Sequence, residues 1–253
     1  MKTFLEAKGD TAVFTFGRFN PPTTGHEKLI DALAKQQSRN AGSLMYVYPS
    51  HSQDAKKNPL PHARKIAYMK KMFRKYAKNI ITSKSRNVFE IAVELHNKGH
   101  RAVVMVVGSD RVREFDTILQ KYNGVKGRHG FYNFESINVI SAGERDPDAE
   151  GVTGMSASKQ RTNAKENDYS AFSQGVPSNM SDKDTRKLFN DVRKGMGIMR
   201  EIKSFKPVSE MDNMEWVREQ YFQNMIYEIG EWVKDKKTGI VGEIVKRGTN
   251  YVT

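Results

Sequence analysis

Four short runs of the chain are apolar almost without interruption: "AVFTF" (12–16), "LMYVY" (44–48), "AVVMVV" (102–107) and "INVIS" (137–141). Each is rich in β-branched or aromatic residues and short for a buried helix, so each predicts a strand. The segments between them repeat differently. Over 25–37, Leu29, Ile30, Leu33 and Ala34 share a face at helical spacing; Ile66, Met69, Met72 and Phe73 do so over 62–76, and Val88, Ile91, Ala92 and Leu95 over 86–98. Strands alternating with helices predict a parallel sheet, and continuous rather than alternating apolar strands predict that both its faces are covered. Residues 1–165 therefore read as a doubly wound, Rossmann-like α/β domain. Ligands of such sheets bind beyond the C-terminal strand ends, where the strand order reverses.

After residue 165 the pattern changes. "ENDYSAFSQGVPSNMSD" is polar and turn-rich, and "SDKDTRKLFNDVRKGM" then reads as a helix with Ser181 as its N-cap. A further helix is expected over 211–227, which makes 166–227 a helical extension. Residues 228–253 read as short alternating strands broken by "KKTG" and "RGTN" turns, a small β module of SH3-like or partial-barrel type. So few residues hold no independent core. The module is expected to pack on the rest of the chain, on a second copy in a homo-oligomer, or on another protein.

The 253 residues include no cysteine, which excludes a disulfide framework and a thiolate metal site and fits a reducing compartment. The longest apolar run, 102–107, falls far short of the roughly 20 residues of a membrane span, and the N-terminus has no signal-peptide core. A cytoplasmic protein with no membrane contact is expected. The net charge of +13 is uneven: residues 1–100 carry 18 Lys/Arg against 7 Asp/Glu, and Ala55 to Phe89 holds 11 cations and no acid. Such a block is either a solvated helix face or a surface for a partner with several phosphates, a nucleotide or a nucleic acid bound through 56–86.

Candidate chemistry lies in the loops after the strands. The first, "FGRFNPPTTGHE" (16–27), sets Pro21 and Pro22 between glycines. Gly17 permits close approach of a ligand, the prolines fix the loop, and His26 falls in the first turn of a helix starting near Gly25. Backbone N–H groups and the positive end of the helix dipole favour phosphate there, and the His26 imidazole and Thr23 hydroxyl add donors. A second loop, "GMSASKQR" (154–161), brings Ser156, Ser158, Lys159 and Arg161 to a helix start, an anion cradle by composition. In "VGSDR" (107–111), Gly108 allows close approach, while Asp110 suits either a ribose hydroxyl or a helix cap. The acidic stretch "ERDPDAE" (144–150) reads as solvated surface rather than a metal site.

Together, "GRFNPPTTGH" and "MSASKQR" resemble the H/T-x-G-H and I-S-S/T-T-x-x-R signatures of the nucleotidylyltransferase superfamily, over roughly residues 11–165. The opening "GRF-x-P" is similar to microbial nicotinamide mononucleotide adenylyltransferases, and "NPLPHARKIAYM" (58–69) to their N-P-F-x-x-x-E-R stretch. The chain departs from these patterns at Thr23 (the first histidine), Met155, Ala157 and Ala63. As a whole it also resembles uncharacterised nucleotidyltransferase-like proteins of tailed bacteriophages, through "GSDR", "SAGERDPDAEGVTGMSASK" and "RGTNYV". The resemblance implies transfer of a nucleoside monophosphate, AMP from ATP, to a small phosphate acceptor such as nicotinamide mononucleotide. It implies Mg²⁺ carried on the nucleotide phosphates. It places His26 and Thr23 at the α/β-phosphates, and Ser156, Ser158 and Arg161 at the β/γ-phosphates. Arg18, Lys57 and Arg64 are left to either the triphosphate or the acceptor. Gly17, Phe19, Asn20, Gly25, Gly108, Ser109, Asp110, Arg111 and Lys159 complete the implied substrate-binding set. The alternative implied by the phage likeness is a virion or assembly protein that keeps the nucleotide-binding fold without turnover.

Overall fold

The computed structural model describes residues 10–143, 155–198, 227, 229–234 and 238–246. The acidic stretch 144–150, all but the last residue of the expected helix over 211–227, and the "RGTN" turn lie outside the described residues. The chain divides into two compact units, residues 1–198 and 199–253.

In the first unit the four apolar runs form one parallel sheet: β1 (Thr11–Gly17), β2 (Leu44–Pro49), β3 (Ala102–Val107) and β4 (Ser136–Ser141), in the order β2-β1-β3-β4. Val13 pairs with Met45 on one side and Val104 on the other, and Val104 with Asn138. The order reverses between β1 and β3, so the crevice for a ligand opens where the loops after these two strands begin.

Alternate strand residues serve two separate apolar layers. Val13, Met45, Val47, Val104 and Val106 face a cluster built by Ile30 and Leu33 of α1 (Thr24–Arg39), Met69 and Met72 of α2 (His62–Met72), and residues of three later helices. Ala12, Phe14, Val103, Met105 and Val107 face the other layer, where α3 (Val88–Asn97) contributes Ile91 and Leu95, and α4 (Val112–Lys121) contributes Phe115 and Leu119. A sheet covered on both sides by helices is the doubly wound arrangement expected from the continuous apolar runs.

Three details differ from the sequence reading. The helix expected over 62–76 stops at Met72: Phe73 leaves helical geometry (φ −106, ψ 56) and a short 3₁₀ turn covers Arg74–Tyr76. Phe73 is 1% exposed. Its ring belongs to the same core cluster as Met69 and Met72. Residues 79–81 then pair along the outer edge of β2, Val47 donating to the Asn79 carbonyl and accepting from Ile81 N–H. The others are α4 and a short helix over Tyr169–Gln174, inside the stretch read as turn-rich; the sequence reading included neither.

Beyond the sheet come α5 (Ala157–Lys165), α6 (Tyr169–Gln174) and α7 (Asp182–Gly195). Ala164, Phe172, Leu188, Phe189 and Val192 join the α1–α2 layer, so the described part of the sequence-defined extension packs into the first unit. Ser181 caps α7, its hydroxyl accepting from Asp184 N–H. In the second unit, β5 (Trp232–Lys234) and β6 (Val241–Glu243) form an antiparallel pair, Val233 opposite Gly242. Among the described residues no helix is long and apolar enough to cross a membrane.

Candidate active site

The loop leaving β1 is held from three directions. Ser50, just past β2, donates its N–H to the Gly17 carbonyl at 2.8 Å. The buried Asn20 side chain accepts from Leu60 N–H at 2.9 Å and donates to the Leu60 carbonyl at 3.0 Å. Arg161 of α5 donates to the Asn20 carbonyl at 2.8 Å. Between these anchors Phe19 adopts φ +47, a left-handed conformation costly for a bulky residue, and is 1% exposed. Its ring lies 5.0 Å from that of His26, and a Cβ on Gly17 would meet it at 3.0 Å.

Thr23 is the N-cap of α1 and buried, and His26 is the third helical residue. The Thr23 N–H donates to His26 Nδ1 at 3.0 Å, with the Thr23 hydroxyl also 3.0 Å from that nitrogen. A backbone N–H can only donate, so Nδ1 accepts and the neutral ring carries its proton on Nε2. His26 is thereby set as an Nε2–H donor at a helix N-terminus.

The second signature meets this one directly. Ser156 caps α5 by accepting from Lys159 N–H at 3.1 Å. The carbonyl of the buried Met155 lies against α1 so closely that a Cβ on Gly25 would stand 2.9 Å from it. The Gly175 carbonyl takes the Thr24 N–H at 3.0 Å. The starts of α1 and α5 therefore adjoin beyond the end of β1. Arg161 bridges them, donating also to Ser158 Oγ at 3.0 Å. Its surroundings are a carbonyl and a hydroxyl. Burial and the neighbouring Arg18 hold its guanidinium below the usual arginine range, partly opposed by Asp54. A half-buried cation near a second cation favours an anionic guest.

The remaining sequence-predicted residues spread more widely. Arg18, Ser158 and Lys159 are exposed at this end of the sheet. Lys57 is exposed in a turn whose backbone is held by Asp54, which accepts the Lys57 N–H at 2.6 Å. Across the switch point, Gly108 is tightly placed, since a Cβ would meet Asp110 Oδ1 at 2.7 Å. Ser109 and Asp110 are exposed in a 3₁₀ turn, and α4 begins without a side-chain cap, so Asp110 does not act as one. Arg111 pairs with Glu114 at 3.2 Å and lies over the Phe115 ring. Arg64 is committed elsewhere: it pairs with Asp191 of α7 at 2.6 Å, an oxygen that Tyr68 also donates to.

Sequence reasoning overlooked Lys65. It is 0% exposed, and its ammonium donates to the Ser50 carbonyl at 2.5 Å, which His62 Nδ1 also approaches at 3.2 Å. Burial pushes Lys65 down to about 8. Because Ser50 N–H holds Gly17, this lysine braces the two strand ends behind the first loop. No signal in its basic surroundings separates it from its exposed neighbours.

A family model described as cytidylyltransferase-like matches residues 14–172, from within β1 into α6. Comparison with curated proteins finds no match.

Proposed function

The chain belongs to the cytidylyltransferase-like family, a part of the nucleotidylyltransferase superfamily, and from that premise we propose that it transfers AMP from ATP to a small phosphate acceptor such as nicotinamide mononucleotide. In this reaction an acceptor phosphate oxygen attacks the α-phosphorus, the bond to the bridging oxygen breaks, and pyrophosphate leaves. No protein nucleophile is needed. The protein contributes in-line positioning and stabilisation of the charge that builds on the phosphates.

One observation carries the reading: the starts of α1 and α5 adjoin at the switch point, and Arg161 reaches from one signature to the Asn20 carbonyl of the other. His26 Nε2–H and the Thr23 hydroxyl serve the α/β-phosphates. Arg161, Ser158 and the α5 N-terminus serve the β/γ-phosphates. Arg18 and Lys57 draw the acceptor, and Gly108 with Asp110 faces the nucleoside. Arg64, held by Asp191, takes no role in this scheme. Magnesium arrives on the triphosphate and neutralises its oxygens, held largely through water.

A second reading, a nucleotide-binding component of a phage particle without turnover, has one observation in its favour. The first helical residue of α5 is Ala157, where the signature places a hydroxyl. Pyrophosphate release separates the two. The protein is incubated with each nucleoside triphosphate, Mg²⁺ and a panel of phosphate acceptors; release with ATP and nicotinamide mononucleotide is expected. Losing one preorganised donor costs about 10²–10³ in rate, so His26→Ala should fall by that much. Binding of ATP with no release for any acceptor would favour the second reading, and a His26→Ala rate above a tenth of wild type would remove His26 from the chemistry.

A further inference from the structure

Of the eleven cations between Ala55 and Phe89, ten are exposed and only Lys65 is turned inward. Two of the ten are neutralised by α7: Arg64 by Asp191 at 2.6 Å and Lys71 by Asp184 at 2.5 Å. Among the described residues none of the other eight meets a carboxylate at ion-pair distance. These eight lie along one stretch of the chain. Lys56 and Lys57 follow the C-terminal end of β2, close enough to the candidate active site that Asp54 of the same turn influences Arg161. Lys70 lies on α2, Arg74, Lys75 and Lys78 on and after the 3₁₀ turn, and the last two on the way to α3.

Surface lysines at a sheet edge commonly guard it against pairing with another strand. That purpose is already met here, because residues 79–81 hydrogen-bond along the β2 edge themselves. The cations surround an edge that is closed. The Phe and Tyr residues between Lys56 and Arg86 point the other way: Tyr68, Phe73 and Tyr76 are 5%, 1% and 6% exposed. The surface thus offers positive charge with no exposed Phe, Tyr or Trp ring on which a base could stack. Its one half-buried imidazole, His62, is already stacked on His51. Such a surface suits a phosphodiester backbone and no particular sequence.

We propose that the surface from Lys56 to Arg86 is a sequence-independent binding site for nucleic acid, bound through its phosphates. The proposal does not depend on the transfer reaction, and the test keeps the two apart. Fluorescence anisotropy of the full chain with labelled single-stranded DNA, RNA and duplex DNA of mixed sequence is measured across a salt series. Contact with about four phosphates predicts a slope of log K against log salt near about −3 for single strands. Affinity should be indifferent to base composition. The variant Lys70→Glu/Arg74→Glu/Lys75→Glu/Lys78→Glu should bind at least ten-fold more weakly while its affinity for ATP, measured by calorimetry, is unchanged. A double variant, Lys75→Ala/Lys78→Ala, is the milder form should the first fail to fold, and should reduce the slope by about one to two. Absence of binding at low salt, equal affinity in the folded variants, or capture of phosphatidylserine vesicles in place of nucleic acid would each overturn the proposal.

Discussion

Lys65 is one residue among eleven cations in its stretch of chain, yet it is the one whose charge is expensive. Its ammonium is buried against the Ser50 carbonyl with no carboxylate at ion-pair distance among the described residues, and its pKa falls to about 8 from the ordinary lysine value of 10.5. Below that folded value the lysine is charged whether the chain is folded or not, and the folded state carries the full burden of burying it. As pH rises from about 8 toward 10.5 the folded lysine loses its proton while the unfolded chain still holds one, so this burden fades and stability rises. Over that window each step of one in pH is worth about 1.4 kcal/mol, so wild type should gain about 2 kcal/mol relative to Lys65→Met between about pH 7 and about pH 9.5. Urea unfolding of both proteins across that range checks it; parallel pH dependences would show that Lys65 is not a buried cation in solution. The sequence holds no hint of this division, because burial is decided by where α2 lies against β2. His26 is the opposite case. Its position after Gly25 at a helix start was legible from residue types alone, although its tautomer needed the Thr23 N–H to be seen pointing at Nδ1.

The elements legible in the sequence were those whose apolar residues repeat at strand or helix spacing. The four strands and helices α1, α2 and α3 stood out, and the parallel order of the strands followed from the alternation. By contrast, α6 has six residues and buries only Phe172, too short for a periodic pattern. Helix α4 does carry one in Val112, Phe115, Ile118 and Leu119, and reading "VGSDR" only as a loop passes over it. What sequence could not show was that the start of α5 lies against the start of α1, since the two signatures are far apart along the chain. Gly25 is the residue that permits it. Adding a methyl there places Cβ 2.9 Å from the Met155 carbonyl, a backbone atom with no side-chain freedom to yield. Gly25→Ala should therefore push the two helix starts apart and weaken triphosphate binding at least ten-fold. Its own helix should survive, because alanine favours a helix by about 1 kcal/mol over glycine. Calorimetry with a nonhydrolysable triphosphate, alongside circular dichroism, would check this; unchanged affinity would mean that the anion does not bind between the two termini.

At the scale of the molecule the question is which parts stand alone. Both apolar layers around the sheet are made of residues between Ala12 and Met196, and the anchors of the candidate site, from Ser50 to Gly175, lie within the same unit. The β5–β6 pair has the reverse problem. Each strand has three residues, a two-stranded pair is marginal by itself, and Ile240, Val241 and Val245 are 67%, 50% and 69% exposed. Ile244 beside them is already buried, at 1% exposure, and the three exposed side chains are what a self-association or partner surface over residues 228–253 would cover. A chain ending at Ile198 should thus fold cooperatively and bind ATP within about two-fold of the full-length protein, while its sedimentation profile shifts toward monomer. Thermal unfolding, calorimetry and analytical ultracentrifugation of the two chains measure these outcomes. Loss of ATP binding on truncation, with assembly unchanged, would assign the second unit to the nucleotide site and overturn this division of labour.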